Sequence, residues 1–103
     1  PETNEDGIVT TEEELEAFFI VKSIIRSVVT SDRITYKDTR SYFGVQIDNN
    51  VRKTVVRFYF NQPKNKRIAI ISEDKSERMY KVQTLDEIYN YADELTEAAK
   101  RYV

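Results

Sequence analysis

The chain has 103 residues, of which 40% are apolar and 33% charged, with a net charge of −2 and neither cysteine nor histidine. That length and balance point to one domain around one hydrophobic core, and the missing residue types exclude disulfides, thiolate zinc sites, cysteine nucleophiles and histidine acid–base chemistry. No apolar run nears the ~18 residues that span a bilayer and no secretory signal pattern occurs, so a soluble cytoplasmic protein without membrane contact is expected.

Residues 1–7, Pro-Glu-Thr-Asn-Glu-Asp-Gly, are polar and lack apolar periodicity; they read as a disordered lead-in or linker remnant before a single domain over 8–103. Thr10 or Thr11 can cap a helix, with a glutamate three residues on to close a capping box. Leu15, Phe18, Phe19, Val21, Ile24, Ile25, Val28 and Val29 then cover more than half of a helical circumference. A substantially buried helix is predicted, with a β-branched tail from Ile24 to Thr30 that only packing can hold.

After Asp32 the period changes from 3.6 to 2. Ile34 and Tyr36 mark a first short strand. From Ser41 to Asp48, Phe43, Val45 and Ile47 alternate with Tyr42, Gly44 and Gln46, and Asp48-Asn49-Asn50 is turn chemistry. From Thr54 to Asn61, Val56, Phe58 and Phe60 alternate with Val55, Arg57 and Tyr59. A fourth strand is expected over Arg67 to Ser72 and a weaker fifth around Arg78 to Val82. Thr84 and Glu87 form a second capping box, opening a helix with its apolar seam at Leu85, Ile88, Ala92, Leu95, Ala99 and Tyr102. The fold class is therefore α+β: an antiparallel meander of about five strands between an N-terminal and a C-terminal helix.

Charge is uneven along the chain. Residues 1–32 carry −6, residues 33–67 carry +7 and residues 68–103 carry −3. Metal-dependent nuclease chemistry needs convergent carboxylates with a lysine nearby; Asp38, Asp48 and Gln46 fall near strand ends, but no strand offers the acid-x-Lys pair, and two glycines cannot build a phosphate-cradling loop. No catalytic residue, metal or cofactor is assigned to this domain. The remaining candidate is the polar sheet face with its loops, where Arg52, Lys53, Arg57, Lys64, Lys66 and Arg67 would meet phosphates and Tyr42 and Tyr59 would stack on bases. The same residues also suit an ordinary solvated strand surface, and the first helix could cover that face. A competing surface is the C-terminal helix, where Tyr89, Tyr91 and the seam suit self-association or docking to another domain.

The stretches Gly7-Ile8-Val9-Thr10-Thr11-Glu12-Glu13-Glu14-Leu15-Glu16, Ile20-Val21-Lys22-Ser23-Ile24, Arg33-Ile34-Thr35-Tyr36-Lys37-Asp38, Ser41-Tyr42-Phe43, Asp48-Asn49-Asn50-Val51-Arg52-Lys53, Arg57-Phe58-Tyr59-Phe60-Asn61 and Leu85-Asp86-Glu87-Ile88-Tyr89 run through nearly the whole chain. Together they resemble the C-terminal domain of bacterial type I restriction enzyme R-protein-like endonucleases. The resemblance implies an accessory module for DNA contact, targeting or assembly, partnered by an N-terminal nuclease domain of the same parent chain. It brings no catalytic residue with it.

Overall fold

Thr11 caps the first helix as its sequence suggests. In a computed structural model, which describes residues 2–3 and 9–103, the Glu14 amide donates to Thr11 Oγ1 (3.1 Å) and the Thr11 amide to Glu14 Oε1 (3.0 Å), the reciprocal bonds of a capping box. This helix, α1 (Glu12–Ile25), ends five residues short of the expected Thr30. The amides of Val28 and Val29 both donate to the Ile25 carbonyl, one closing turn in a β-branched run of low helix propensity, and the backbone is extended by Thr30 (ψ 140°). The lead-in expected over 1–7 falls largely outside the described residues; within it Glu2–Thr3 (β1) pairs antiparallel with Val9–Thr10 (β2).

A 3-10 turn at Ser31–Arg33 leads into β3 (Ile34–Asp38), β4 (Phe43–Ile47), β5 (Asn50–Tyr59), β6 (Arg67–Ile71) and β7 (Glu77–Lys81). They form a five-stranded antiparallel sheet in sequence order, the expected meander. Asp48 and Asn49 both take positive φ (59° and 53°) in the two-residue turn between β4 and β5, a conformation that Asp and Asn tolerate and that matches the twist of a hairpin. β5 begins at Asn50, four residues before the expected Thr54, but Ile47 pairs Asn50 while Gln46 pairs Thr54. Val51, Arg52 and Lys53 therefore bulge out of the ladder.

Period-2 alternation puts Ile34, Tyr36, Phe43, Val45, Ile47, Val56, Phe58, Phe60, Ile68 and Ile70 on one face, and both helices pack there through Ala17, Phe18, Val21, Ile25, Ile88, Leu95, Ala98 and Ala99. Rings form a rib across this face. Phe60, Phe58, Phe43 and Tyr36 stack in succession at centroid spacings of 5.2, 5.6 and 4.8 Å, and Phe18 of α1 meets Tyr36 edge-on at 5.0 Å. The helices thus leave the opposite face of the sheet open. Two side chains expected outward are not: a second irregularity beside Val45 turns Val55 into the core, and Gln46 is 1% exposed. Phe19, expected in the buried arc of α1, is 59% exposed.

The C-terminal helix is two pieces. Leu85–Tyr91 is 3-10, opened by the Thr84 amide donating to Glu87 Oε2 (2.7 Å), and α2 proper is Ala92–Lys100. Ile88-Tyr89-Asn90-Tyr91 are weaker helix formers than the Ala-Asp-Glu-Leu that follows, and α-helical geometry is taken up only from Ala92. Among the described residues no helix is long and apolar enough to cross a membrane.

Phe58, fully buried in the middle of the rib, is the position where truncation should cost most. Phe58→Ala is expected to lose about 3–5 kcal/mol, a large share of the ~5–15 kcal/mol available to a small domain. Urea unfolding followed by circular dichroism measures it; a loss below ~1 kcal/mol would contradict the rib as the organiser of the core.

Candidate functional site

The open face is built in cross-strand rows. One row runs Lys37, Gly44, Arg57, Ala69, Met79, and the next places Tyr59 beside Arg67 and Arg67 beside Lys81. Gly44 and Ala69 give the face a low floor. A Cβ on Gly44 would stand 3.3 Å from the Tyr42 ring, so the missing side chain is what lets that ring lie flat over β4. The Arg57 guanidinium sits 4.9 Å from the centroid of the Tyr42 ring, and Arg67 sits 5.4 Å from that of Tyr59. Tyr42 and Tyr59 approach at 6.0 Å. Rings and guanidiniums therefore alternate, each cation–π contact worth roughly 0.5–1 kcal/mol at an exposed site.

At the centre lies a carboxylate that periodicity in β5 alone did not reveal. Glu77 of β7 accepts from Arg57 Nη1 at 3.0 Å and from the Tyr59 hydroxyl, both on Oε2. The two bonds cross the whole width of β6, where the small, fully buried Ala69 leaves room. Burial, and then Glu77 itself, raise the Tyr59 phenol above its ordinary value. Burial works against the Arg57 charge, but Glu77 and the two tyrosines more than offset it and the pKa stands raised. Arg57 Nε is buried without a hydrogen-bond partner.

The structure gathers four of the eight sequence candidates, Tyr42, Arg57, Tyr59 and Arg67, on this face. The others lie elsewhere. Lys53 is in the β5 bulge at the far end of the sheet, 3.0 Å from Asp48, which Arg33 also grips through Nε and Nη2 at 2.8 Å each. Those bonds from Arg33 and Lys53 hold the Asp48 carboxyl well below the usual carboxylate range. Arg52 occupies the same bulge and Lys64 the β5–β6 loop. Lys66 is turned to the helical side, bound to Glu13 of α1. Of the nine bases in the +7 segment, Arg33, Lys53, Arg57 and Lys66 lie against Asp48, Glu77 and Glu13, and of these carboxylates only Glu77 and Glu13 come from outside the segment. Among the described residues no carboxylate pairs with Arg52, Lys64 or Arg67.

Asp38 and Asp48 stand at opposite ends of the β3–β4 pair. Asp38 accepts from Thr10 Oγ1 at 2.7 Å and is raised by burial. Among the described residues no group of three or more metal-ligating side chains converges. The seam of the C-terminal helix is largely spent on the core, with Ile88, Leu95 and Ala99 fully buried and Tyr91 stacked on Tyr80 at 4.4 Å, while Tyr89 is 51% exposed. No protein-family profile, curated protein or solved structure matches the chain.

The raised Tyr59 fixes a sign for pH dependence. Above pH ~10 the unfolded chain loses the phenolic proton before the folded chain does, so stability contributed by Tyr59 is complete below that value and declines as pH rises through it. Glu77→Gln should bring the Tyr59 titration down towards 10, leaving the shift due to burial, and Tyr59→Phe should remove one raised phenol from the titration while that of Tyr80, raised by its bond to Glu94, remains. Spectrophotometric tyrosinate titration checks both; an unchanged titration in Glu77→Gln would show that Glu77 does not control the phenol.

Proposed function

We propose that this chain is a non-catalytic accessory domain that contacts DNA through the open face of its sheet, serving as a binding or targeting module beside the nuclease domain of a type I restriction-like endonuclease. The observation that carries the reading is the alternation of Tyr42, Arg57, Tyr59 and Arg67 across a face that no helix covers. Flat rings between guanidiniums offer stacking to unpaired bases and charge to the phosphates between them. Placement in a restriction enzyme rests on the sequence resemblance alone.

Glu77 sets the strength of such a contact. Arg57 is already bound to a carboxylate, so a phosphate would displace Glu77 rather than meet a bare cation, and affinity would depend mainly on Arg67 and the two rings. A net charge of −2 adds no long-range attraction. Binding should therefore be moderate, only shallowly salt-dependent because few phosphates are neutralised, and better for single strands than for duplex, whose bases are already stacked.

Fluorescence anisotropy with labelled single-stranded and duplex oligonucleotides at low and moderate salt tests the proposal. Tyr42→Ala should weaken single-strand binding by about tenfold, and Arg67→Ala should weaken it while lowering the salt slope by about one. Absence of binding at low salt, where counterion release contributes most, would overturn it.

A further inference from the structure

β7 is an outer strand of the sheet, and among the described residues nothing pairs with its free edge. The direction of its unused backbone groups follows from the bonds it makes. The Ser72 amide donates to the Ser76 carbonyl (2.8 Å) and the Val82 amide to the Lys66 carbonyl (3.0 Å). In an antiparallel ladder hydrogen-bonded pairs alternate with non-bonded ones, so Arg78 and Tyr80 turn their backbone groups inward to Ile70 and Ile68. Glu77, Met79 and Lys81 present theirs to solvent. Natural edges are normally blunted by charge or proline, or covered; this one carries charges, but of opposite sign and symmetric about Met79.

We propose that the chain forms a two-fold homodimer by antiparallel pairing of β7 with β7 of a second copy, centred on Met79. With the axis at Met79, the outward N–H and C=O of Met79 exchange bonds with their own counterparts, and Glu77 falls opposite Lys81 of the second copy. Every outward backbone group of the strand finds a partner, and the two Glu77–Lys81 pairs join opposite charges, each favourable by the pairing rules of a sheet, while Arg78 falls opposite Tyr80 on the other face. Three further features fit. Met79, 43% exposed, would meet its own copy at the axis. Glu77 holds Arg57 and Tyr59 through Oε2 alone, which leaves Oε1 for the incoming lysine. Lys81 is exposed, with no side-chain partner among the described residues. The other edge strand lacks this complementarity: self-pairing of β3 about Tyr36 would set Ile34 against Asp38 and Thr35 against Lys37. Pairing through β7 would join two five-stranded sheets into one of ten and run the two open faces together. The proposal does not depend on DNA binding and stands or falls separately from it.

Sedimentation velocity on the 103-residue chain over a wide concentration range tests it, with circular dichroism as the check on folding. The wild type should move from one to two chain masses as concentration rises. Met79→Pro removes the central outward N–H, which has no partner within the chain and which an edge strand can lose; it should weaken the dimer by at least about tenfold. Lys81→Glu and Glu77→Lys, each alone, set like charges opposite one another and should sediment as monomers, whereas an equimolar mixture restores both pairs and should give a heterodimer. The charge variants remain decisive even if the proline variant fails to fold. A wild type that stays at one chain mass at the highest concentration overturns the proposal. So does a dimer indifferent to Met79→Pro in a folded chain, or a mixture that does not associate.

Discussion

The stack of Phe60, Phe58, Phe43 and Tyr36 is the constraint on which the rest of the molecule depends. Neighbouring side chains along a strand point to opposite faces, so fixing these rings beneath two helices also fixes Gly44, Arg57, Tyr59 and Arg67 on the other side. A one-residue slip would exchange the two sets, drawing guanidiniums into the core and exposing phenylalanines. The open face is thus not an independent invention of the surface; its register is held by rings behind it. Both helices lie on one side, which makes the domain two layers deep and leaves a sheet face in solvent.

That face is polar but not strongly basic. The middle of the chain is rich in lysine and arginine, yet carboxylates brought in from α1, the β4–β5 turn and β7 lie against four of those bases. Exposed ion pairs of this kind contribute little to stability individually. Their effect is on recognition: they convert a cationic stretch of sequence into a mixed surface on which aromatic rings carry much of the contact chemistry. Glu77 is the clearest case. It binds the guanidinium and the phenol at once and so adds a shared anchor to two residues already held against neighbouring side chains.

The proposed edge pairing and the proposed DNA contact share one residue. Glu77 bonds inward across β6 through one oxygen, and it would accept a lysine from a second copy through the other. A ligand that displaced its inner bonds would change the charge presented at the edge, and pairing at the edge would restrain the carboxylate that competes for Arg57. The two events would then be coupled through a single side chain that reaches both surfaces.

Much of this was legible along the chain because it depends on near neighbours. The switch from period 3.6 to period 2, the capping residues Thr11 and Thr84, the paired turn residues Asp48 and Asn49 and the alternation of Phe43-Val45-Ile47 with polar residues are local signals. They determined the element order, the meander and which side of each strand is apolar. What depends on several strands at once stayed hidden. The bulge at Val51 to Lys53 and the burial of Val55 and Gln46 arise from pairing between β4 and β5, and the early end of α1 from where its packing stops. Parity within β7 places Glu77 on the same face as Arg57, but their ion pair spans an intervening strand and requires the strand order and a small residue at Ala69. Sequence by itself thus determined the scaffold and its polar face, because propensity and periodicity act over a few residues; only tertiary structure decided which charges remain available, because ion pairs form between groups that the chain brings together from distant positions.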